Sequence, residues 1–116
     1  VDRADAPLIL YMNDAPHLVE AMLDCECDVI SVGSAVDIGV AARLAGSRAS
    51  LQGNLDPVEL ALSPERIAER VREIAEAAKP ARGHVLNLGH GCLPETPVEG
   101  VRAFVSAARS LAGEPG

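Results

Sequence analysis

The chain has 116 residues, 48% of them hydrophobic, and a formal charge of −7. It is one domain at most, too apolar to stay disordered. With an acidic balance, one Tyr, one Phe and no Trp, it offers neither a basic face for phosphates nor a platform for stacking bases, which excludes a nucleic-acid partner. No apolar run approaches the ~20 residues of a membrane-spanning helix, so no membrane is expected either. The core must be built from Leu, Val, Ile and Ala.

In chain order, Leu8-Ile9-Leu10-Tyr11-Met12 reads as a strand, broken by Asn13-Asp14-Ala15-Pro16. A helix follows, with Leu18, Val19, Met22 and Leu23 on one side and Pro16 suited to its first turn. Residues 28–32 (DVISV) are β-branched and brief, hence a second strand. Asp37 is a helix cap, Ala41, Ala42 and Leu44 lie along that helix, and Gly46 stops it. Ser50-Leu51-Gln52-Gly53 begins the third unit, and Asn54-Leu55-Asp56-Pro57 turns the chain. Ser63 then caps a helix with Pro64 at its first position. Ile67, Val71, Ile74 and Ala78 form one apolar stripe, and Arg72 and Glu76 have the spacing to pair on another face. Residues 84–88 (HVLNL) are a fourth strand, and Gly89-His90-Gly91 is the turn after it. Thr96 and Glu99 read as a capping box, with Val98, Val101, Val105 and Ala108 lining one face of the last helix.

Strands alternating with helices predict an α/β fold with a parallel sheet and right-handed crossovers. Four βα units make either a small open sheet or half of a (β/α)8 barrel, which typically needs about 250 residues. In both, ligand groups sit at the C-terminal ends of the strands. Those ends are Asn13-Asp14, Gly33-Ser34, Gly53-Asn54 and Gly89-His90-Gly91.

His90 is the sharpest candidate for a binding role. Two glycines permit close approach to the main chain, and an imidazole can donate to a carboxylate or carry a proton near neutrality. Asn54 and Asp56 are weaker candidates, better explained as turn formers. His17 and His84 read as surface or packing residues. Cys25, Cys27 and Cys92 are an odd set without a disulfide framework, which, with no signal peptide in view, suggests reduced thiols in the cytoplasm. Cys25 and Cys27 fall on the opposite rim of the sheet from His90 and Cys92, so no metal site is expected. Phosphate-binding glycine loops, G-x-S-x-G and an acid–base carboxylate pair are all missing.

Taken together, "SLQGNLDPVEL", "SPERI" and "HVLNLGHGCLPETPVEGVRAFV" resemble the C-terminal portion of the uroporphyrinogen decarboxylases, and "LILYMNDAPHLVEAMLDCECDVISV" does so more loosely. The resemblance runs from about Pro7 to Leu111. It implies the C-terminal half of a (β/α)8 TIM barrel, with residues 1–116 a single partial domain. The implied reaction removes the carboxyl groups of four acetate side chains of uroporphyrinogen to give coproporphyrinogen, a carboxy-lyase step of haem biosynthesis that uses no metal or organic cofactor. It implies that His90, matching the histidine of the Gly-His-Gly motif, contacts the tetrapyrrole, with the flanking glycines making room for the macrocycle. The family's catalytic aspartate, its N-terminal arginines and a substrate-holding tyrosine belong to the first half of the barrel and map to no residue here. Where the family tends to have Asp-Trp after the second strand, this chain has Gly33-Ser34.

A half-barrel exposes two sheet edges and an apolar inner face, which pair with something or aggregate. The expected partners are therefore the tetrapyrrole substrate and either the N-terminal half of the barrel or a second copy. Alone, the chain is expected to be inactive. Two other readings compete with the decarboxylase. One is a non-catalytic half-barrel that binds a tetrapyrrole or a protein. The other is a relative of the cobamide-dependent methyltransferases, which rely on a His/Cys zinc site that Tyr11-Met12-Asn13-Asp14 does not offer.

Overall fold

A computed structural model describes residues 6–12 and 16–111. The alternation becomes four strands, β1 (Ile9–Tyr11), β2 (Val29–Ser31), β3 (Ser50–Gln52) and β4 (His84–Val85). All pair in parallel, in the spatial order β1-β2-β3-β4. Each leads to a helix: α1 (Val19–Asp24), α2 (Ile38–Ala45), α3 (Pro64–Ala77) and α4 (Val98–Leu111). Neighbouring helices touch in chain order, α1 on α2, α2 on α3 and α3 on α4. A strand order that never reverses is the wall of a barrel; a doubly wound sheet switches direction. The fold is therefore four consecutive βα units of a (β/α)8 barrel.

Period-2 alternation divides the sheet. Leu10, Ile30 and Leu51 stand in one row and face the helices, with Ile30 and Leu51 fully buried. Against them pack Met22 and Leu23 of α1, Ala41 and Ala45 of α2, and Ile67 and Val71 of α3. The small residues of α2 let that helix lie close to the strands. On the other side Ile9, Tyr11 and Val85 are about half exposed. This is the inner, concave face of the barrel wall. Both outer strands, β1 and β4, have one neighbour each.

Side-chain caps explain two of the four α-helix starts. The Asp37 carboxylate accepts from the backbone N–H groups of Gly39 (2.9 Å) and Val40 (3.3 Å). Ser63 Oγ accepts from Arg66 N–H (3.2 Å), with Pro64 at the first helical position. The Thr96/Glu99 box is not formed. The Thr96 N–H goes to the Leu93 carbonyl (3.0 Å), and the Glu99 carboxylate faces Arg102 (3.5 Å). Glu76 pairs with Lys79 (2.8 Å) rather than with Arg72.

On two helices the packing selects which apolar face is buried. Leu44 is exposed, because the buried stripe of α2 is Ile38, Ala41, Ala42 and Ala45. On α4, Val98 is 64% exposed and Val101 and Val105 also face outward, while Gly100 and Phe104 are buried with Ala103 and Ala107 beside them. The helix carries two apolar stripes, and Gly100 decides between them. A Cβ there would fall onto the Leu60 carbonyl oxygen, so only the glycine face can close on the 3-10 turn Pro57–Ala61. Among the described residues, no helix is long and apolar enough to cross a membrane.

Candidate functional site

Beyond β3 the chain runs tightly past β2. Gly53 has φ of 133°, and a Cβ would meet the Val32 carbonyl oxygen at 2.7 Å, so glycine is required there. Asn54 is buried and donates Nδ2 to the carbonyls of Gly33 (2.9 Å) and Val36 (2.6 Å). Asp56 accepts from the Val58 N–H (3.0 Å). Asp56 is thus a turn former, whereas Asn54 ties its own strand end to the loop after β2. Leu55 N–H then reaches the Asn87 carbonyl (3.1 Å), and Gly89 N–H reaches the Leu55 carbonyl (2.8 Å). These bonds carry the β3–β4 pairing up to the turn that holds His90.

At that turn the two glycines have different reasons. A Cβ on Gly89 would collide with Oγ, backbone N and Cα of Ser34, whereas one on Gly91 would meet nothing within 4 Å. The expectation that both glycines clear space for a ligand is corrected for Gly89. Its missing side chain lets the fourth strand end lie against the second. The Tyr11 hydroxyl donates to the Gly89 carbonyl (3.2 Å), tying β1 to the same turn.

His90 is held loosely, its Nδ1 lying 3.3 Å from the neighbouring Gly91 carbonyl. It lines a concave cavity of about 410 Å³ on the inner face, together with Tyr11, Ser31, Gln52, Asn87 and Cys92. Gln52 Nε2 donates to Ser31 Oγ (3.1 Å) across the β2–β3 pair. Tyr11, Ser31, Gln52 and Val85 form one cross-strand row. Of these neighbours of His90, sequence reasoning considered only Cys92 beside it and did not place Ser31, Gln52 or Asn87 there. The signal was present, since inward-facing positions alternate with core positions along each strand.

A cavity of about 470 Å³ lies elsewhere, between α2 and α3, lined by Asp37, Asn54, Asp56, Glu59 and Arg70 among others. Its acids are engaged in caps and in ion pairs such as Arg70–Glu59 (2.7 Å). Among the described residues, no group of three or more His, Cys, Asp or Glu is placed to hold a metal. Cys25 and Cys92 are exposed, Cys27 is buried, and all three are free thiols. His84 is a packing residue. Its Nε2 donates to the Gly53 carbonyl (2.7 Å), and burial pushes its pKa below the usual histidine value. His17 is exposed. The strand end Asn13-Asp14 lies outside the described residues.

With this geometry, the likenesses to known proteins are specific. The family model described as Uroporphyrinogen decarboxylase (URO-D) matches residues 1–111. A Coxiella burnetii protein named uroporphyrinogen decarboxylase is 39% identical over 90% of this chain and 29% of its own length. One from Serratia proteamaculans, of the same name, is 38% identical over 97% of this chain and 32% of its own. The chain thus spans about a third of the length of the curated relatives it matches. Among solved structures, a methyltransferase from Methanosarcina mazei superposes with a TM-score of 0.74 over 93% of this chain and 32% of that one. At 23% identity that likeness carries the fold alone.

Proposed function

Since the chain belongs to the uroporphyrinogen decarboxylase family, we propose that it forms the C-terminal part of a cytoplasmic uroporphyrinogen decarboxylase of haem biosynthesis. The observation that carries this reading is the family match over residues 1–111 with His90 on the inner face, at the strand ends where barrel enzymes bind their ligands. The substrate is uroporphyrinogen, and the product, after loss of carbon dioxide from four acetate side chains, is coproporphyrinogen. Each loss breaks the bond between the side-chain methylene and the carboxylate carbon, and a proton takes up the electron pair left behind, so the acetate becomes a methyl group. His90 binds a polar group of the macrocycle. The acid that handles the proton comes from the first half of the barrel.

That half is the proposed partner. Among the described residues, β1 and β4 are the outer strands of the sheet, the inner face exposes Ile9, Tyr11 and Val85, and α4 exposes Val98, Val101 and Val105. Completing the barrel would pair the edges and cover these side chains. The methyltransferase reading is less well supported, because its chemistry needs a His/Cys zinc cluster and the described residues bring none together.

The test joins this chain to the first half of the barrel and supplies uroporphyrinogen under reducing conditions, with porphyrins separated after oxidation. Coproporphyrin should accumulate with both halves and not with this chain alone. A folded complete barrel that binds the tetrapyrrole without turnover would establish the non-catalytic half-barrel instead.

A further inference from the structure

Among the described residues, the inner wall around His90 contains no lysine or arginine. If the ligand is a polycarboxylate, as the proposed function holds and as this inference requires, neutral donors must meet it here. Two carboxamides stand in position to do so. Gln52 and Asn87 line the same cavity as His90, from neighbouring strand segments. The register pairs Gln52 with Val85, so Asn87 is the next inward-facing position beyond it, roughly 7 Å further along the strand direction. Its backbone is fixed by the Leu55 N–H (3.1 Å).

Their side chains are not consumed by the fold. Asn87 is exposed, and its amide makes no hydrogen bond among the described residues. The Gln52 amide gives one N–H to Ser31 Oγ (3.1 Å). That bond orients it and leaves a second N–H, since a primary amide carries two. A carboxylate presents two oxygens with about four acceptor sites, more than one imidazole N–H satisfies. We propose that Asn87 and Gln52 are substrate-binding side chains that donate amide N–H bonds to a carboxylate of the macrocycle beside His90. Ser31 is a positioning residue, acting through Gln52.

Neutral donors bind a carboxylate with no cationic partner on the wall. The group they hold is one that is not reacting, so ground state and transition state gain equally. Removing such uniform binding raises KM and leaves kcat unchanged.

The test uses the complete barrel carrying this chain, with uroporphyrinogen turnover and coproporphyrin binding, read by fluorescence quenching, measured in parallel. Asn87→Ala and Gln52→Ala should each raise KM about tenfold and weaken porphyrin binding equally, the loss of one hydrogen bond to a charged group. Their kcat should stay within about twofold of wild type. Asn87→Asp keeps the shape but opposes the carboxylate with like charge, so it should weaken binding more than Asn87→Ala does. Ser31→Ala should show a smaller rise in KM than Gln52→Ala. Unchanged KM and unchanged porphyrin affinity in both alanine variants would overturn the proposal while leaving the decarboxylase reading intact. Should wild type fail to turn over uroporphyrinogen, that reading falls, and the binding series alone decides the roles of Asn87 and Gln52. A full-affinity Asn87→Asp variant would then count against them.

Discussion

Gly89→Ala separates packing from ligand access at the His90 turn. The new Cβ meets not only Ser34 Oγ, which could rotate, but the Ser34 backbone nitrogen and Cα, which cannot give without moving the strand end. Overpacking of this kind costs about 1–3 kcal/mol, and an obstruction made of backbone belongs at the upper end. Shifting the turn would also strain the Gly89 N–H to Leu55 bond (2.8 Å) and the Tyr11 hydroxyl bond to Gly89 (3.2 Å), each worth about 1 kcal/mol. The expected loss is about 3 kcal/mol, which lowers the urea midpoint by roughly 1.5 M for a slope near 2 kcal/mol/M. Gly91→Ala has open space around it and should move the midpoint by less than about 0.3 M. Ser34→Gly should not rescue Gly89→Ala, because the backbone obstruction remains. Equal midpoints for the Gly89 and Gly91 variants in equilibrium urea unfolding would refute this account of the turn.

The helix caps give a matched pair. Asp37→Ala should cost about 1 kcal/mol in the same assay, since its carboxylate accepts two backbone N–H groups. Thr96→Ala should cost only a few tenths, as the capping box that the sequence suggested is not formed. His84 should make stability depend on pH. Burial holds its folded pKa below the unfolded value near 6.5, so the folded state disfavours the proton. Stability from this group is complete above about pH 6.5 and is lost as pH falls through and below that value. NMR titration of His84 should show the depressed pKa, and a His84→Gln variant should flatten that limb of the stability profile.

Much of the fold was legible because its signals are local. Pro64 after Ser63, Asp37 before α2, and the Ile67, Val71, Ile74 stripe all act within one or two turns of helix. The strand alternation and the Gly-His-Gly turn placed His90 at a strand end without tertiary information. Asp56 behaved as turn chemistry suggested, whereas only the fold shows Asn54 reaching two carbonyls beyond β2.

What the sequence by itself determined was the βα alternation, the family and the position of His90, since periodicity, caps and motif spacing are properties of neighbouring residues. The tertiary structure alone decided which of α4's two apolar stripes is buried, because the answer is a steric fit between Gly100 and the Leu60 carbonyl 40 residues earlier. It also decided which side chains stand beside His90. Tyr11, Ser31 and Gln52 meet there only through the parallel register of three strands. That register depends on how the strands pack on the helices, a contact between residues far apart in the chain.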